Sequence, residues 1–220
     1  MVAVMGADGR RGGWVVARVE QPSSPRLTRL DYVDSLAPVL DDDVAVLAVD
    51  MPIGLGESGP RSCDQAARSL LRPHGSRVFP APPRSTLAHP DDYSAACDAA
   101  VAATGRAISR QTWNLLRAVA EVDELADDER VVECHPELAF ALMNGHPVDE
   151  RKKTREGRDV RLALLRRWLP DLGEPAYGDD GLDALACAWS AARVLVGEAV
   201  TLPSGEVPRD GRGRPMRICA

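Results

Sequence analysis

Six apolar residues, Val-Ala-Val-Leu-Ala-Val at 44–49, run without a break into Asp50, and a Met-Pro-Ile-Gly turn follows at once. A continuous apolar run of this length, closed by a turn signal, reads as a strand buried on both faces. It puts Asp50 at the carboxyl end of a central strand. An unpaired carboxylate is costly to bury, and open α/β sheets place their ligand sites along that edge. The competing reading is an aspartate that only opens the turn before Pro52. Residues 2–8 form a shorter apolar strand ending in Asp8, and residues 14–19 form another. The Gly-Arg-Arg-Gly-Gly between them predicts a β-hairpin. Asp8 is then either a site residue or an Asp-Gly turn residue. The turn amides can cradle a phosphate, although the P-loop pattern is absent.

Residues 27–33 predict a third strand after a Pro/Ser-rich connection, residues 34–40 a short helix, and Asp41-Asp-Asp43 a solvated turn. From Gly54 onward, Gly, Pro and Ser cluster, and helical patterns follow at residues 61–68, 91–104 and 109–125. The last carries an apolar stripe at Leu115, Leu116, Val119 and Val122. Residues 56–128 read as an α-helical insertion or lid within one domain spanning residues 1–220, because no linker isolates them and no repeat is present. Val131 and Val132 lead a short strand into Glu133-Cys-His-Pro-Glu137. Alternate strand residues face one side, so Glu133 and His135 can share a site. His135 also reads as a hydrogen-bonded structural histidine, and Glu137 as a first-turn carboxylate favoured by the helix dipole. Residues 178–196 predict a long helix capped by Asp179 or Asp180, with Leu182, Leu185, Trp189, Ala192 and Val196 along one stripe. Asp180 and Asp183 share a helix face, and capping accounts for only one of them. The turn-rich tail from Thr201 is able to add an edge hairpin.

Composition narrows the class. The 220 residues are 45% hydrophobic and 27% charged, ordinary for a globular protein, and no apolar run approaches membrane-span length. The N-terminal residues lack the basic region of a signal peptide. The five scattered cysteines contain no Cys-x-x-Cys, which points to reduced thiols and a cytoplasmic location. A net charge of -6 argues against a protein that coats nucleic acid. Residues 151–167 run the other way, with eight Arg or Lys against two acids. A solvated helix face is the usual meaning of such a run, but here it is also the best candidate for holding a phosphate backbone.

Asp8, Asp50, Glu133 and the Asp180/Asp183 pair form an ordered set of carboxylates. Hard oxygen ligands of this kind suit Mg²⁺ or Mn²⁺, one ion or two, and such ions activate water and stabilise the leaving oxygen of a phosphodiester.

The strings Gly6-Ala-Asp-Gly-Arg-Arg-Gly-Gly-Trp14, Val49-Asp-Met-Pro-Ile-Gly-Leu55, Arg61-Ser-Cys-Asp64 with Ala67-Arg68, Ser76-Arg-Val-Phe79, Glu133-Cys-His-Pro-Glu137, Lys152-Lys-Thr154 and Leu182-Asp-Ala-Leu185 together resemble the DUF429 family of predicted RNase H-like nucleases. The resemblance covers nearly the whole chain. It implies an α/β fold with an RNase H-like mixed five-stranded sheet flanked by helices. It also implies a metal site built on Asp8, Asp50 and Asp183, joined by Asp180 and Glu133. The Asp180/Asp183 pair is similar to the acidic pair on the last helix of Holliday-junction resolvases of the same superfamily. Arg61, Asp64, Arg68, Arg77, His135, Glu137, Lys152 and Lys153 match motif positions. Arg61, Arg68 and Arg77 are able to clamp phosphate oxygens or to pair inside the protein, and Lys152 and Lys153 to neutralise a scissile phosphate. The expected activity is metal-dependent phosphodiester hydrolysis of nucleic acid. Hydrolysis or transfer on a nucleotide-like phosphate metabolite, and a non-catalytic binding module, are the alternatives. The sequence carries no oligomer signal.

Overall fold

The computed structural model describes residues 2–21, 24–41 and 43–220. Parts of the expected Pro/Ser connection and of the Asp41–Asp43 turn lie outside the described residues. Five strands form the main sheet: β1 (Ala3–Arg10), β2 (Gly13–Glu20), β3 (Arg26–Val33), β4 (Val44–Val49) and β5 (Val131–Glu133). Their spatial order is β3-β2-β1-β4-β5. β1, β2 and β3 are antiparallel neighbours, while β4 and β5 run parallel to β1. This is the RNase H-like arrangement. Between β4 and β5 lie α1 (Ser62–Leu70), α2 (Tyr93–Thr104), α3 (Arg110–Asn114) and α4 (Leu116–Leu125). After β5 come α5 (Pro136–Asn144), α6 (Arg155–Arg166) and α7 (Asp179–Leu195).

The continuous apolar runs are explained by what covers them. On one face Val4, Val15, Ala17, Val46 and Ala48 pack with Phe140 of α5, Leu165 of α6 and Leu185 of α7. On the other, Met5, Trp14, Val16, Leu47 and Val49 pack with Val119 and Val122 of α4. A strand covered on both sides has no polar face, hence no alternation.

Four local expectations are corrected. The short helix at 34–40 is a single 3-10 turn over Ala37–Val39. The helical pattern at 109–125 is broken at Leu115 into α3 and α4, with Ser109 accepting a hydrogen bond from Thr112 as the cap of α3. α7 begins after Gly178, whose φ of 58° suits glycine, so Asp179 and Asp180 lie in the first turn and neither caps. The tail does not extend the main sheet. It makes a separate pair, β6 (Thr201–Leu202) with β7 (Ile218–Cys219), packed with Cys63, Ala67 and Leu71 at α1.

Arginine–carboxylate contacts fasten this tail and the turn after β4. Asp210 accepts from the Leu55 amide at 3.0 Å and from Arg84. Arg84 and Arg214 both engage Asp123 of α4. All five cysteines are free. Among the described residues no helix is long and apolar enough to cross a membrane.

Gly6 sets the height of α7 over the sheet. A Cβ there would run into the α7 backbone at Ala184 and Ala188. Gly6→Ala is therefore expected to destabilise the fold by about 1–3 kcal/mol or more. Gly173→Ala, with nothing near a Cβ at that position, should stay within about 0.5 kcal/mol of wild type. Chemical denaturation of the two variants measures both.

Candidate active site

Parallel pairing places the first two carboxylates. Ala7 of β1 lies opposite Val49 of β4, and the Asp50 amide donates to the Ala7 carbonyl at 3.0 Å. Asp8 and Asp50 thus leave adjacent strands at the same sheet edge. The third comes from α7. Asp183 immediately precedes Ala184, the residue that meets Gly6, so the close helix–strand approach carries it to the same edge. Asp8 and Asp183 are buried. Into this cluster reaches Lys152, from the loop before α6. Its Nζ donates to Asp183 Oδ2 at 2.7 Å.

One ammonium faces three acids. Burial raises the Asp8 carboxyl well above its ordinary value, and Asp183 and Asp50 raise it further, against the pull of Lys152. Asp50 is raised by burial and by Glu137, opposed by His135 and Lys152. Asp183 is pushed up to about 6 by burial, with Lys152 pulling down and Asp50 and Glu137 pushing up. Burial alone would lower Lys152, but Asp183, Asp8 and Asp50 outweigh it and hold the ammonium charged.

The cluster opens into a cleft of about 610 Å³ that Asp50 and Asp183 share with His135, Lys152, Lys153 and Arg151. Arg151 and Lys153 are exposed and have no ion pair among the described residues. Nδ1 of His135 is buried without a hydrogen-bond partner. Asp180 is partly exposed and outside the cleft lining, near enough to Asp8 to raise its carboxyl, and 3.5 Å from Arg10.

Other candidate residues are held elsewhere. Glu133 does not join the aspartates, because its two oxygens are engaged by Arg61 at 2.7 and 2.8 Å and by the Ile53 amide at 2.7 Å. Arg61 is buried and also binds Asp64 and the carbonyls of Ile53 and Gly54. It works as an internal staple and offers no free face to a phosphate. Arg68 donates to the Val78 carbonyl and stands outside the cleft lining. Arg77 reaches the cleft wall but is spent on Glu137 at 2.5 Å and on the Val148 carbonyl. Glu137 also accepts from buried Arg161 at 2.7 Å. Burial would raise Glu137, but Arg161 and Arg77 outweigh it and lower it.

Sequence reasoning passed over three contributors to this region. Arg151 was visible as part of the basic run. Arg161, another member of that run, also lines the cleft, whereas Gln111 reaches it from α3 with no local signal in the sequence.

The carboxylates are hard oxygen donors with an excess of negative charge, which fits a divalent cation in chemistry and in sign. As they stand, no three His, Cys, Asp or Glu side chains among the described residues converge closely enough to hold a metal ion. Lys152 is the cation that the aspartates surround.

The model of a family described as "Protein of unknown function (DUF429)" matches residues 6–207. The chain belongs to the DUF429 family. No curated protein matches it. Among solved structures this DUF429 chain is similar to RuvC of Thermus thermophilus, at 11% identity and a TM-score of 0.43, covering 90% of this chain and 98% of that one. It is also similar to T. thermophilus RuvC in complex with a Holliday junction substrate, with the same identity and coverage and a TM-score of 0.42.

The raised carboxyls of the DUF429 site predict an unusual pH response. Asp183 moves from an ordinary 3.8 to about 6, so between these values the folded protein binds a proton that the unfolded chain has released. Stability of the metal-free protein must therefore fall as pH rises through that window. Glu137 and Asp123, held low by arginines, lose their contribution only at more acidic pH. The melting temperature is expected to be several degrees higher near about pH 5 than near about pH 7.5, and Asp183→Asn should flatten the difference. Scanning calorimetry in chelator measures both.

Proposed function

We propose that this DUF429 protein is a Mg²⁺- or Mn²⁺-dependent phosphodiester hydrolase acting on nucleic acid. The observation that carries this reading is that Asp8, Asp50 and Asp183, from three separate elements, feel one another's charge beside a cleft that Asp50 and Asp183 line and whose free charges are cationic. Asp8, Asp50 and Asp183 would hold the ion, with Asp180 near Asp8 for a second. The unpartnered His135 nitrogen adds a donor on the Asp50 side. Bound there, the ion supplies Lewis-acid polarisation of a phosphoryl oxygen and a more acidic water. Arg151 and Lys153 are placed to hold the phosphates next to the scissile one, as exposed cations without internal partners. The buried Arg61–Glu133 pair keeps the turn after Asp50 in place and takes no part in binding.

Lys152 has two tasks in this reading. Without metal it neutralises the aspartates, and with metal it is released to the scissile phosphate. Metal and ammonium then compete for Asp183. A charge-assisted hydrogen bond is worth about 1.5–3 kcal/mol, so Lys152→Gln is expected to tighten Mn²⁺ binding by about tenfold while slowing cleavage. Unchanged or weaker binding would count against the competition.

The cleft volume alone also suits a small phosphate metabolite, since such sites measure about 300–1,000 Å³. Saturable nucleotide binding with no binding of nucleic acid would favour that reading.

Calorimetry with Mn²⁺ tests the proposal without knowledge of the substrate. Wild type should bind, and Asp50→Asn and Asp183→Asn should lose binding while keeping their circular dichroism. Their cleavage of DNA or RNA should fall by at least about 10²–10³, the usual cost of removing one preorganised charge-stabilising group. Cleavage that survives Asp50→Asn in protein free of contaminating nuclease would refute the proposal.

A further inference from the structure

A second cleft, of about 730 Å³, is bordered by the C-terminal end of α3. The helix is shared: Gln111 lines the first cleft, and Asn114 with the following Leu115 lines the second. In β1 the residue after Asp8, Gly9, begins the floor of the second cleft. That floor is the hairpin turn from Gly9 to Gly13. Its three glycines leave Arg10 and Arg11 as the side chains of the turn, and at Gly13 the space for a Cβ is already taken by Tyr32 and the Val33 carbonyl.

The charges around this floor are mostly positive. Arg10, Arg11 and Arg117 line it, against Asp34 and Glu121. Glu121 is turned inward, bonded to Trp14 Nε1 at 2.8 Å, to the Ser35 hydroxyl at 2.8 Å and to the Leu36 amide at 2.7 Å. Arg11 is exposed and has no ion pair among the described residues. Among the described residues Arg117 pairs only with Asp91, and both side chains are largely exposed. A surface pair of that kind contributes little and yields readily to another anion. Arg10 leans toward Asp180 and the Tyr177 ring, which ties the hairpin to the start of α7.

We infer that the second cleft is a binding site for the sugar–phosphate backbone of a polynucleotide strand that continues past the scissile phosphate, with Arg11 and Arg117 as its phosphate contacts. Either cleft alone has the size of a small-molecule site. Two of them sharing α3, with cations at both, match a ligand that repeats its negative charge along its length. The inference rests on the proposed hydrolase reading and deepens it, because it selects a strand over a mononucleotide as the substrate.

The test is fluorescence anisotropy of a labelled single-stranded oligonucleotide, as DNA and as RNA, titrated in Ca²⁺ over a range of salt. Wild type is compared with the Arg11→Gln/Arg117→Gln double variant and with Asp50→Asn, with circular dichroism to confirm folding. A dinucleotide serves as the short ligand. Each lost phosphate contact lowers the slope of log affinity against log salt by about 0.7 for a single strand. The double variant is therefore expected to lose about 1.4 from that slope and about tenfold in affinity for the long oligonucleotide, with dinucleotide cleavage unchanged. If wild type binds and cleaves the long strand but the double variant keeps its slope and affinity, this inference fails and the hydrolase reading stands. Equal affinity of wild type for the dinucleotide and the long strand has the same consequence. If wild type binds neither, both fall together.

Discussion

The approach of α7 to β1 at Gly6 is the contact on which the rest of the molecule depends. Helix and strand meet backbone to backbone because nothing larger than a hydrogen stands between them. The spacing sets the thickness of the layer that buries Val4, Ala184 and Ala188. It also carries Asp183 to the sheet edge where Asp8 and Asp50 end their strands. Close packing at this point is a condition for the site as well as for the core, since a helix lifted by one methyl group would move an acid relative to its two partners.

What that packing creates is an electrostatic debt, only partly met by Lys152. Asp8 and Asp183 are buried and Asp50 half-buried, and hydrophobic residues of similar size would be less costly there than acids that repel one another. The molecule shows the contrasting solution close by. Glu133 and Asp64 close on Arg61, and Glu137 closes on Arg77 and Arg161, each a carboxylate matched by guanidinium groups in good geometry. Glu137, Arg77 and Arg161 line the same cleft as Asp50 and Asp183, so the two sets differ in how their charge is matched and not in where they lie.

Much of this was legible in the chain itself. The run into Asp50 and the shorter one into Asp8 declared buried strands with charges at their ends, and the Asp180/Asp183 spacing put two acids on one helix face. The break at Leu115 escaped notice because the apolar stripe continues across it, so periodicity alone sees one helix where two short ones meet at a bend. Glu133 borders the region of Asp50 together with Cys134 and His135, but its partner Arg61 is 72 residues away, and no local pattern announces that pairing. The same holds for Arg77 with Glu137 across 60 residues. Long arginine side chains choose their carboxylates in three dimensions, so sequence reveals that they are available and leaves open which are already taken.

The turn that follows β4 carries a consequence of its own. Its amides are gripped from opposite sides, Ile53 by Glu133 and Leu55 by Asp210, and each of those carboxylates is in turn held by an arginine, Arg61 or Arg84. Asp50 thus stands at the root of a segment whose backbone has almost no freedom left to lose. Ordering entropy at this position is settled during folding, so a ligand arriving at the aspartate meets a preorganised partner. One of those two grips belongs to the C-terminal tail. A sequence change at Asp210, far along the chain from β4, would remove one of the two grips on the turn that follows Asp50, so the stiffness of that turn is set in part by residues more than a hundred positions away.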